Sequence, residues 1–353
     1  MQGNKPSKKK ISFALQSRFK GYLKIYNSFV KLPLHYSDLQ RYIANTPLLN
    51  TDGTDTLWET VYYSDFEYEE YNRSLCEIYA LIKTDGNLEA IEHLEVARID
   101  YCTFGNTNPF RIRIINKLND NYDHFYIKRV DSSRIYGLEL ERLLSPNYVG
   151  YLVDKDTLVE EHIAGIPGDD FMNNYISNNE FDNTRIAKEF IKFNERCFVR
   201  LLGDMRSYNY IVDITPDIEG SQYRIRAIDF DQQSYEGWKS FYLPQYFKGN
   251  NPIIQMGMKH ISPAAVAQYQ LEERSLIALR AKSSKARLNS LLKCMINDSI
   301  SFPNKVKQLR EELAHHHRNN KFLTCKNMGE IVLTNIELVL QKEFKQSIID
   351  ISE

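Results

Sequence analysis

The chain has 353 residues, 42% of them apolar and 26% charged, with a formal net charge of −1. That length calls for more than one small core, and the near-zero charge excludes a global field drawing in nucleic acid or an anionic membrane. No run approaches the ~18 apolar residues of a membrane-spanning helix. The basic start "MQGNKPSKKKISFALQ" is not followed by an apolar stretch with a small-residue cleavage site, so a cytoplasmic protein is expected. Lys8, Lys9 and Lys10 are expected to lie in a frayed, solvated terminus. Cys76, Cys102, Cys197, Cys294 and Cys325 are scattered and never spaced as CxxC, which points to buried free thiols in a reducing compartment.

Residues 1–91 are polar and rich in aromatics. "YSDLQRYIANTPLL" and "YEEYNRSLCEIYALIK" read as helices, the second with Tyr71, Leu75, Ile78, Tyr79 and Ile82 on one face. The segment is read as an N-terminal helical extension and a candidate protein-binding element. From about residue 92 the texture changes. "LEVARIDYCTF", "PFRIRIINKL" and "HFYIKRV" are β-branched and aromatic runs separated by turns, and predict an antiparallel meander. "DSSRIYGLELERLLSP" predicts a helix with Ser132 or Ser133 as N-cap, and "NYVGYLVDKDTLVEEHI" predicts two more strands.

Residues 92–160 therefore read as a small five-stranded sheet with one helix after its third strand. Residues 161–353 read as mainly helical, with a hairpin of "YIVDI" and "YRIRAIDF" embedded near their start. The overall expectation is an α+β fold. "AHHHRNN" places His315, His316 and His317 about 100° apart on a helix, which cannot converge on one metal and predicts a solvated helix end.

The chemistry-bearing residues concentrate in this arrangement. Lys128 lies in the third strand on the same side as Tyr126, where an ammonium can neutralise phosphates if a carboxylate steadies it. In the following helix Tyr136, Leu140, Leu143 and Leu144 form the apolar stripe; Glu139 flanks it and Glu141 points away, so Glu139 is the expected partner. "LLGDMRSYNYIVD" carries Asp204, Arg206 and Asn209 on a turn between helix and strand. That spacing lets a carboxylate meet a substrate hydroxyl while an amide oxygen turns to a metal, with Arg206 near a transferred phosphoryl group. Twenty residues on, "AIDFD" delivers Asp229 and Asp231 at a strand end. Asn209 with Asp229 matches the oxygen ligands that Mg²⁺ prefers.

"GDMRSYNYIVD" with "AIDFD", "YIKR" and "LVEEHIAG" resembles the protein-kinase-like superfamily, in particular its aminoglycoside phosphotransferase and choline kinase branch, over roughly residues 92–235. The resemblance implies a kinase-like two-lobed fold that binds ATP and Mg²⁺ and acts on a small hydroxylated substrate, without nucleic acid or membrane. By the same resemblance Asp204 is the catalytic base, Asn209 and Asp229 are metal ligands, Lys128 is the phosphate-binding lysine, and Asp231 is a further metal or supporting acid. Residues 160–163, including Glu161 and Ile163, would present backbone groups to adenine. Two departures stand out. Leu202 replaces the histidine of the family's catalytic loop, and Gly105 is the only glycine in "TFGNTNPF", where a glycine-rich loop is expected. They carry the alternative of a pseudokinase, a nucleotide-sensing or partner-binding module with this fold.

Overall fold

Helix α1 (Ser17–Ile25), helix α2 (Tyr36–Leu39), strands β1 (Ala44–Leu49) and β2 (Asp55–Tyr62), and helix α3 (Asp65–Lys83) precede the meander of β3 (Leu94–Cys102), β4 (Phe110–Asn116) and β5 (Tyr122–Arg129). Then come α4 (Ser132–Leu144), β6 (Tyr151–Asp154) and β7 (Thr157–Glu161). This computed structural model describes residues 10–83, 88–104, 106–176, 181–218 and 220–343. The protein is mixed α+β and divides into two units: Met1–Ser132 with Val149–His162, and Ser133–Tyr148 with Ile163–Glu353. One division falls between His162 and Ile163, inside residues 160–163.

In the first unit an antiparallel sheet runs in the order β1-β2-β3-β4-β5-β7-β6. The five strands expected after residue 92 are all present, but the sheet has seven, because β1 and β2 extend it. The turn "NTDGT" joins β1 to β2, and β2 pairs with β3 through Trp58↔Cys102 and Thr60↔Asp100. Residues 1–91 are therefore not a helical extension. Their apolar residues share the sheet's core: Leu34, Tyr36, Tyr71, Leu75 and Ile78 are buried with Ile112, Ile114, Phe125 and Ile127. The expected face of α3 is the one that packs, and this burial is why no boundary occurs at residue 91. Lys10 is not solvated; it is buried, with its ammonium 2.6 Å from Asp131, which also accepts from the Phe13 N–H.

Strand alternation puts charge and aromatic rings on the opposite face of the sheet. Asp100 is fully buried there between Arg98 (2.9 Å) and Arg111 (2.8 Å), and it accepts from Thr60. Arg111 lies over the Trp58 ring, and Lys128 is held by Glu160 across β5 and β7 at 2.6 Å.

The second unit contains α4, β8 (Ile166–Pro167), α5 (Gly168–Asp170), α6 (Asn183–Arg200), β9 (Tyr210–Asp217) and β10 (Gly220–Ala227). Helices α7 (Asn251–His260), α8 (Pro263–Ser283), α9 (Lys285–Met295), α10 (Pro303–His317) and α11 (Met328–Glu343) follow. The expected hairpin is β9–β10, with β8 added beside β9 to give a three-stranded sheet. All five cysteines are buried and free, and no helix among the described residues is long and apolar enough to cross a membrane.

Burial pushes the His124 imidazole down from 6.5 to about 4, with Arg111, His162 and Arg113 acting the same way against Asp123. Between those two pH values only the unfolded chain binds the proton. The stabilisation is thus full above about pH 6.5 and is lost as pH falls towards 4. Denaturant unfolding of wild type and His124→Gln at pH 7, 5.5 and 4 is expected to show the wild type losing more stability over this range. Equal losses would rule His124 out as the source.

Candidate functional site

The turn that carries Asp204 hangs from the C-terminus of α6, where the last carbonyls have no partner inside the helix. Side chains supply them. Asn335 Nδ2 donates to the carbonyls of Phe198 and Val199, each at 2.9 Å, and Gln233 Nε2 donates to that of Arg200 at 2.6 Å. Leu201 closes the helix in the left-handed region, and fully buried Leu202 pairs with Gln233 in an isolated β-bridge. Asn335 is steadied by His317 Nε2 at 3.0 Å, whose ring stacks between Phe198 and Phe322. Of the three adjacent histidines, His315 and His316 are exposed as expected, whereas His317 is a packing residue.

Gly203 permits the close packing that follows, since a Cβ there would sit 2.5 Å from the Phe241 ring. Asp204 has φ +59°, a left-handed conformation that aspartate tolerates better than most residues. Its N–H donates to the Phe241 carbonyl at 3.1 Å, and its own carbonyl accepts from Arg206 N and Asn209 Nδ2, both at 2.7 Å. The Asp204 carboxylate is only 10% exposed and lies 2.8 Å from Arg206 Nε. Burial raises its pKa; Arg206 pulls it back, while the charges of Asp231 and Glu236 push it further up. Burial works against the Arg206 cation, but the Asp204 contact outweighs it and the guanidinium pKa rises.

Asn209 commits its amide nitrogen to the Asp204 carbonyl, so its oxygen is the side-chain acceptor that remains, and it makes no hydrogen bond among the described residues. The Asn209 carbonyl accepts from the Ile228 N–H at 3.0 Å. That bond ties the Asp204 turn to the segment delivering Asp229 and Asp231. Of the three acids Asp229 is the accessible one, at 32% exposure against 7% for Asp231. Both carboxylates meet one cation, Arg134 of α4, whose Nη1 lies 2.8 Å from Asp229 and 2.7 Å from Asp231. Ser133 Oγ donates to the Gln233 carbonyl at 2.7 Å. A Cβ on Gly137 would meet Phe230 at 3.1 Å, so α4 lies tightly along residues 230–233.

The second unit thus brings together Asp204, Arg206, Asn209, Asp229 and Asp231. Glu139 belongs to the same unit, but its carboxylate accepts from Arg287 of α9 at 2.8 Å through each oxygen. Glu141 does not point into solvent: it is 1% exposed and pairs with Arg200. Helix α4 is buried on nearly all sides, so polarity does not mark its outer face. In the first unit the carboxylate that steadies Lys128 is Glu160, because strand neighbours on one face lie within reach of each other. Glu161 accepts from the Gly150 N–H at 2.6 Å, and Ile163 is buried in the second unit. Gly105 lies outside the described residues. Arg134, Gln233 and Asn335 escaped the sequence reading, because each acts on residues about 35 to 140 positions away.

No family model matches the chain, and no curated protein matches it.

Arg134 balances two carboxylates that would otherwise repel each other in a poorly solvated place. Arg134→Met is expected to lower unfolding stability by about 3–5 kcal/mol, the usual penalty for breaking a buried ion pair. Millimolar Mg²⁺ is expected to restore part of that loss. Chemical denaturation with and without Mg²⁺ checks both, and an unchanged stability would refute the charge-balancing role.

Proposed function

We propose that the protein is a kinase-like phosphotransferase that uses ATP and Mg²⁺ to phosphorylate a hydroxyl of a small molecule. One observation carries the reading: Asn209 donates to the Asp204 carbonyl, and its own carbonyl accepts from the N–H of Ile228, the residue before Asp229. Asp204 accepts the proton of the acceptor hydroxyl as that oxygen bonds to the γ-phosphorus. The bond from the same phosphorus to the bridging oxygen breaks, and ADP leaves. Arg206, held against Asp204, offsets the charge that develops on the transferred group.

Asn209 and Asp229 are the residues that would hold Mg²⁺. No group of three or more His, Cys, Asp or Glu side chains suited to a metal occurs among the described residues. Two protein oxygens are nevertheless enough for Mg²⁺, which completes its shell with water and phosphate. When bound, the ion neutralises phosphate charge. The amide oxygen of Asn209 and the exposed carboxylate of Asp229 fit that task, whereas buried Asp231 serves to anchor Arg134. In the first unit Lys128 binds phosphate oxygens, and Glu160 takes the steadying part expected of Glu139.

A second reading, the nucleotide-sensing pseudokinase, draws support from Arg134, whose guanidinium already lies between the two acids. Turnover separates the two. The enzyme reading expects Mg²⁺-dependent thermal stabilisation by ATP, and ATP consumption once an acceptor is supplied from a panel of amino sugars, sugars and choline-like alcohols. Asp229→Asn is expected to lose the nucleotide shift. Asp204→Asn is expected to bind nucleotide but lower turnover at least 100-fold. Since burial disfavours the ionised Asp204, the neutral variant is expected to match or exceed the wild-type melting temperature at pH 7.5. For the same reason the acidic limb of the wild-type pH–rate profile is expected above the ordinary aspartate range. Nucleotide binding without turnover on any acceptor favours the pseudokinase, and no metal-dependent nucleotide shift would sink both.

A further inference from the structure

Helix α6 carries Arg185, Lys188, Lys192 and Arg196 at spacings that place them along one face. In the second unit this face lines an open cavity of ≈ 490 Å³, flanked by β10 with Arg224 and by α8 with Arg280. The cavity lining carries only two carboxylates, Glu189 and Glu273, and both are already committed. Glu189 accepts from Arg196 at 2.6 Å and from the Ile225 N–H at 3.2 Å. Glu273 is 2% exposed and faces Arg196 at 3.6 Å and Arg280 at 3.3 Å.

The rim is richer in cations. Lys188 and Lys192 share one acid, Glu272, at 3.4 and 3.1 Å. Arg185 has Asp182 beside it. The guanidinium of exposed Arg224 makes no hydrogen bond or ion pair among the described residues, and the buried Nε of Arg196 has no hydrogen-bond partner. Even with Asp182, Asp217 and Glu272 counted against them, a positive charge is left over. Lys188 and Lys192 are one helical turn apart, a like-charge pairing that weakens a helix unless an anion joins it.

We propose that this cavity is a binding site for a small phosphate-bearing molecule. Its size falls in the roughly 300–1,000 Å³ of small-ligand pockets. Guanidinium forks and lysine ammonium groups together suit phosphate oxygens. A phosphate group offers several acceptor oxygens and up to two negative charges at neutral pH, more than a lone carboxylate brings to several guanidinium and ammonium donors. None of the lining residues belongs to the Asp204 site, so this assignment stands whether or not that site is catalytic.

Isothermal titration of the full chain with sodium tripolyphosphate and with inorganic phosphate tests it. The variants are the Lys188→Ala/Arg224→Ala double substitution, Lys188→Gln alone and Asp229→Asn. Saturable tripolyphosphate binding in magnesium-free buffer is expected, weakened at least tenfold by the double substitution and less by Lys188→Gln. The melting temperature of the double variant in phosphate-free buffer is expected to equal that of wild type. The proposal is overturned by an absence of saturable binding, or by binding that Asp229→Asn abolishes and the double variant leaves intact. It is likewise overturned if a single-stranded oligonucleotide binds the wild-type residues more tightly than tripolyphosphate, which would make the surface a nucleic-acid site.

Discussion

Buried charge on α4 is the constraint around which the second unit is organised. Arg134, Glu139 and Glu141 are each 2% exposed or less, and an ion taken that far from water must meet an opposite charge. Each does. Arg134 meets Asp229 and Asp231, Glu139 meets Arg287 of α9, and Glu141 meets Arg200 at the end of α6. One helix thereby fixes the acid-bearing strand end, the helix from which the Asp204 turn hangs, and a helix more than a hundred residues further on. The glycine at position 137 lets it approach closely enough for those pairs to form.

The Asp204 turn is held from the end of α6 by side chains distant in sequence. Here Leu202 fills apolar space, and the hydrogen bonds come from Gln233 and Asn335 to the carbonyls at the end of α6. The same turn holds an aspartate in a left-handed conformation and an acid that burial makes reluctant to ionise. Neither feature favours folding. Both are sustained by the surrounding hydrogen bonds, and both accord with the proton-accepting role proposed above.

Much of the first unit was legible because strands on a half-buried sheet announce themselves by alternation. The order of three strands, helix and two strands was readable from residue 94 to residue 161, and so was the buried face of α3. The β1–β2 hairpin was not. "ANTPLL" has no regular alternation, and only the "TDGT" turn signalled it; the pairing of β2 with β3 across some forty residues gives these segments their strand form. Glu160 was overlooked as the partner of Lys128 for a related reason, since sequence spacing does not say which strand lies next to which.

The local chemistry of the candidate site came from sequence alone: Asp204, Arg206 and Asn209 on one turn, with Asp229 and Asp231 at a following strand end, follow from short-range spacing that a helix, a turn and a strand convert directly into position. Charge pairing was decided only by the tertiary structure. Arg134, Gln233, Asn335 and the cation-lined cavity against α6 gain their meaning from residues distant in the chain. A periodic pattern reports which face of a helix is apolar; it cannot report that α4 is enclosed on nearly every side, where the partner of each buried ion sets what that ion can do.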